Sequence, residues 1–164
     1  MRWEGHNAVG VMVVLAVGLP LGGCGTTYRE MESGRGVQAL QMSADTWRIE
    51  ARGNGYTNAN IVKDWMLLKA AETTKQAGGS HFVIVEQADA SSKSTMITPG
   101  ARQTTQRGAT QTSTYTPAVV SRQINPGQDA YIRVIKVAAD QPAPADAKSA
   151  DEIIKFIGGR TPRG

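Results

Sequence analysis

The chain of 164 residues holds one cysteine and two histidines, and aromatic side chains make up 5% of it. A single cysteine excludes an internal disulfide. The histidines stand at positions 6 and 81, so a zinc site or a Cys–His or Ser–His dyad has too few members to assemble. Nothing in the sequence calls for a metal or any other cofactor. Long apolar runs are also missing. The longest, residues 9–21, "VGVMVVLAVGLPL", is broken by glycines and by Pro20, and it falls short of the roughly 20 residues of a spanning helix.

What is present at the start has an order. Arg2 supplies a positive charge, the apolar run follows, and two glycines precede Cys24, which is the layout of a secretory signal peptide. The stretch "LGGC" at 21–24 resembles the lipobox of bacterial lipoproteins. That resemblance implies cleavage before Cys24, a diacylglyceryl group on its sulfur, and attachment to a membrane. Two or three acyl chains at about 0.8 kcal/mol per buried methylene hold a protein on a bilayer almost permanently. Residue 25 is glycine, where the lipoproteins this resembles carry aspartate when they stay at the inner membrane, so the outer membrane, facing the periplasm, is expected. Acylation would consume the only thiol, and with few aromatics in an extracytoplasmic chain nucleic acid is excluded as a partner. Removal of 1–23 takes away Arg2 and Glu4, which lowers 18 basic and 14 acidic side chains to 17 and 13 and keeps the formal +4. The remaining 141 residues (164 less 23) suffice for one core.

Composition divides the chain. Residues 1–23 read as the signal peptide, and 24–35 as lipid anchor and disordered tether without periodicity. Residues 36–139 read as an α+β domain interrupted by a mobile Ser/Thr-rich loop at 89–118, and 140–164 as a Pro/Ala linker and tail ending in a short helix. The loop carries Lys93, Arg102 and Arg107 with no acid after Asp89. These three are candidate contacts for an anionic envelope polymer or lipid.

Within the domain, Trp47, Ile49 and Ala51 alternate with Arg48, Glu50 and Arg52, the pattern of a half-buried strand. "VQALQM", 37–42, forms an edge strand before it. The turn "GNGYTN" follows; it lacks the further glycine and lysine of a phosphate loop, and Thr57 or Asn58 can cap a helix over 58–77. That helix places Ile61, Trp65, Leu68 and Ala71 on one stripe and ends at Gly78 and Gly79. Glu72 falls on or beside the stripe, where a carboxylate needs a partner. Arg52 or Arg48 is the expected one. "HFVIVEQ", 81–87, reads as a strand covered on both faces, parallel to "TWRIEAR" in a βαβ unit. "AYIRVIKVAA", 130–139, supplies another strand, and "TPAVVSRQI", 116–124, pairs with it through "NPGQ". The expected fold is a small mixed sheet of about four to five strands packed on one main helix.

The string "LQMSADTWRIEARGNGYTNANIVKDWMLLKAAETTKQAGGSHFVIVEQ", 40–87, resembles the core of a family of small proteobacterial lipoproteins of unknown function. The likeness rests on Arg52-Gly53-Asn54, Thr57, Leu67-Leu68, Ala70-Ala71-Glu72, and Gly78 with Phe82-Val83-Ile84. It covers about a third of the chain after Cys24, together with the lipobox, and implies compartment and fold without any catalytic residue. The expected role is therefore a non-enzymatic, lipid-anchored binding or envelope-maintenance module, with an envelope protein or an anionic polymer as partner. The alternative is a carboxylate enzyme acting on cell-wall glycan with Glu72 at its centre. Glu50, Asp64, Glu72 and Glu86 sit on different predicted elements and show no pairing motif.

Overall fold

The computed structural model describes residues 26–138 and 140–164; the expected signal peptide and Cys24 lie outside them. The fold is α+β. Strand β1 (Gly36–Gln41) pairs antiparallel with β2 (Thr46–Arg52) across the turn at 43–45. Asp45 there accepts the hydroxyls of Ser43 and Thr46, which hold its carboxyl below the usual range. Along β2, Ile49 and Ala51 are buried and Trp47 is half-buried, while Arg48, Glu50 and Arg52 take the other face, as period-two alternation requires.

Helix α1 (Ala59–Gln76) starts at Asn58, whose side chain accepts the Asn60 N–H, and gives way to Gly78 at φ +74°, a conformation that costs glycine nothing. Strand β3 (His81–Asp89) follows. The chain then builds β4 (Ser92–Thr98), β5 (Ala101–Arg107), β6 (Thr110–Thr116) and β7 (Val119–Asn125), and returns as β8 (Gly127–Ile135). A short β9 (Lys148–Ser149) and helix α2 (Ala150–Phe156) close it.

The main sheet has the order β1-β2-β8-β3-β9, every ladder antiparallel. Strands β2 and β3 run the same way, as a βαβ unit demands, but β8 lies between them. The excursion from β3 to β8 is folded back on itself as one long hairpin, so the returning limb pairs directly with β3 and fills the slot beside β2. That hairpin also corrects the expected pairing of 116–124 with 130–139. Strand β7 pairs with β4, and Pro126 joins β7 to β8 along the same limb without a reversal. The segment 89–118, expected as a loop, consists of β4, β5 and β6, whose side chains are all exposed.

One face of the sheet carries the core. Val37, Ile49, Ala51, Phe82, Ala130 and Ile132 meet Val62, Trp65, Met66 and Leu68 of α1. Strand β3 is covered on one face only, and Val85, at an irregularity in the β3–β8 register, is exposed. The apolar stripe of α1 is wider and rotated from the expected one: Lys69, Ala70, Thr73 and Thr74 are also buried, and Ile61 is 46% exposed. The reason is a second cover. Helix α2, with Ala150 buried in it and Ile157 buried just after it, packs on α1.

The chain's first described residues do not form a tether. Tyr28 enters the core, its ring edge-on to Trp65 at 6.4 Å, and Lys69 reaches Glu30. The far end of the chain meets them: Tyr28 N–H donates to Pro162 O, and Gly164 N–H donates to Tyr28 O.

Candidate functional site

Glu72 extends from the last turns of α1 toward the place where the first described residues meet residues 161–164. Its carboxylate accepts the Tyr28 hydroxyl at 2.5 Å and binds Arg163 at 2.7 Å, and the Arg163 guanidinium lies over the Tyr28 ring. Burial, then the hydrogen bond to Glu72, raises the Tyr28 hydroxyl far above its ordinary value. The expected pairing of Glu72 with Arg52 or Arg48 is therefore corrected: both arginines project from the opposite face of the sheet.

There they form a ladder. Arg48 binds Glu50 at 2.8 Å and Asp129 at 2.9 Å, Arg52 binds Asp129 at 2.5 Å, and Gln38 donates to Glu50. Cross-strand placement explains it, since Glu50 stands opposite both Gln38 and Asp129. Burial alone would raise the Asp129 carboxyl, but Arg52 and Arg48 outweigh it and hold it below the usual range. Two cations and two anions thus neutralise one another.

The arm built by β4 to β7 has the opposite character. Between Asp89 and Asp129 the sequence contains Lys93, Arg102, Arg107 and Arg122 and no acid. Without these four the chain has 14 basic and 14 acidic side chains, so its entire formal excess of +4 resides on the arm. None of the four has an ion-pair partner among the described residues.

The three cations expected to act together are separated. Lys93 lies on β4, Arg102 and Arg107 on β5, and the odd spacing of the last two turns them to opposite faces. Lys93 is instead joined by Arg122. In the β4–β7 ladder Lys93 faces Ile124, Thr95 faces Arg122 and Ile97 faces Val120, so these six share one face. A groove of about 350 Å³ is lined by Lys93, Thr95, Arg122 and Ile124 together with their neighbours Ser94 and Gln123. The signal for Arg122 was the alternation Val120, Arg122, Ile124, which lies just past the Ser/Thr-rich stretch.

His81 opens β3 with its Nδ1 3.0 Å from Ser80 Oγ. Among the described residues no three His, Cys, Asp or Glu side chains gather as a metal site, and no helix is long and apolar enough to cross a membrane. Comparison with protein-family models, with curated proteins and with solved structures gave no match.

Proposed function

We propose that this chain is a lipid-anchored module of the bacterial envelope, held through Cys24 on the outer membrane and facing the periplasm, which works by binding. The lipobox-like "LGGC" motif supports the anchor and the compartment. The observation that carries the binding reading is the arm: a body of balanced charge holds out paired strands bearing all of the net charge, with every side chain of β4, β5 and β6 in solvent. Such a shape offers a long surface to an envelope protein, polymer or lipid.

Fatty-acid labelling of cells expressing the chain tests the anchor. Label is expected on the wild type and lost in Cys24→Ser; label on the variant overturns it. For the binding role, a photo-crosslinking residue at Thr104 is expected to capture an envelope component in intact cells. Measurable turnover of cell-wall glycan by purified protein, abolished in Glu72→Gln with folding intact, would overturn the binding role in favour of the carboxylate enzyme.

A further inference from the structure

The outward face of the β4–β7 ribbon stands where the chain leaves for Cys24. Thr26 donates its N–H to Thr57 Oγ1 at 3.2 Å. Cys24 precedes Thr26 by two residues in the sequence, and two Cα steps span at most about 8 Å. Thr57 belongs to the connection from β2 to α1, at the end of the sheet where β2 finishes. Strand β3 runs the same way and finishes there too, and Gly127, opposite Arg52, starts β8 there. The arm and the exit toward Cys24 therefore share one end of the domain.

The ribbon turns a particular face to the body. A Cβ at Gly55 would meet the Gln123 side chain, so the ribbon comes close to the β2–α1 connection at this point. Gln123 and Asn125 are half-buried, and Ser92 and Asn125 line a polar cleft with Arg52 and Gly53. By alternation the other face points away from the body. It presents Lys93, Thr95 and Arg122 together with Ile97, Val120 and Ile124, which are 65%, 61% and 61% exposed.

We infer that this face docks on the surface of the bilayer that carries the Cys24 lipid, with Lys93 and Arg122 on anionic headgroups and the three aliphatic side chains at the acyl boundary. The inference rests on the proposed acylation of Cys24. Aliphatic side chains interleaved with cations are what an interface with charged headgroups above hydrocarbon recognises. A purely ionic polymer would engage the cations and leave the aliphatics in water. Attachment of the lipid at the same end holds the face close to headgroups at high effective concentration, so weak contacts suffice.

The test uses the full lipidated protein, in which an introduced cysteine is the only free thiol. A fluorophore is placed at Thr95→Cys on the docking face or at Ala44→Cys, in the β1–β2 turn at the other end of β2. Each protein is reconstituted in vesicles of phosphatidylcholine and phosphatidylglycerol at about two to one, with a quencher on the lipid. Quenching is expected to be several-fold stronger at position 95. It should weaken when Lys93 and Arg122 are both changed to Gln, and when salt rises to about 0.3 M, because exposed charges are then screened. Mass spectrometry of the same samples reports acylation. Acyl mass on Cys24 with equal quenching at the two positions overturns the docking face and leaves the anchor standing. Absent acyl mass overturns the anchor, and the docking face with it.

Discussion

A buried phenol with a carboxylate 2.5 Å from its oxygen has little reason to ionise, although the Arg163 guanidinium over its ring pulls the other way. The folded-state value of Tyr28 is raised, so its stabilising contribution is complete below about pH 10 and is lost as pH rises toward the folded value. Alkaline titration followed by tyrosinate absorbance should show Tyr28 ionising only as the fold opens, a phase absent from Tyr28→Phe. That variant should also lose about 1 kcal/mol, the net worth of a hydrogen bond. Asp129 obeys the opposite sign. Its folded value is depressed, so the ladder contributes fully above about pH 4 and fades as pH falls through the folded value. Asp129→Asn should flatten the acid limb of a stability–pH curve; an unchanged limb would remove the ladder from the account. In α1, Trp65→Ala and Leu68→Ala should each cost about 2–5 kcal/mol, whereas Ile61→Ala should stay within about 0.5 kcal/mol. Equal losses at positions 61 and 65 would mean that the helix faces a different way.

Of the elements, the arm is the one held to the body least. Strands β5 and β6 pair only with each other, and the joints at 99–100 and 117–118 interrupt both limbs at the same level with a proline in each. A two-stranded ribbon without a covering layer is marginal. Limited proteolysis should therefore cut first between 91 and 118, leaving β3 and β8 paired; first cuts inside α1 would contradict this. The arm should also be removable. Ala90 N–H donates to Gly127 O at its root, so replacing 92–125 by an Asn-Gly turn should close the hairpin and change the melting temperature by only a few degrees. The sequence revealed most of the body because its strands and helix obey their periods: the alternation in "TWRIEAR", the cap before Ala59 and the stop at Gly78 locate β2 and α1. It hid the arm, because β5 and β6 are built from Thr, Ser, Gln and Arg and carry no apolar alternation. It hid the insertion of β8 as well, since which strand enters a sheet is decided by distant pairing. In the candidate site Lys93 was legible as a cation without acids nearby. Its partnership with Arg122 needed the register of β4 on β7. Tyr28, a lone aromatic in an aperiodic stretch, carried no local sign that it would be buried.

For the molecule as a whole, the first described residues and the last ones form a single structure. Residues 161–164 hold Tyr28 on both backbone sides, and Arg163 closes over it and Glu72. Deleting 161–164 should expose Tyr28 and Trp65 to solvent, seen as a red shift in tryptophan emission and faster quenching by acrylamide. Emission unchanged from the full chain would show that α1 and Glu30 alone suffice to hold the segment.

That closure also fixes how the domain would bear tension. A pull applied at Thr26 would meet the Thr57 contact first, then the short ladder with Pro162 and Gly164, before any strand of the main sheet is loaded. The carboxyl-terminal residues would thus act as a mechanical latch. Load applied there would be spent in peeling a few terminal contacts, which can re-form, while the sheet and its core stay intact.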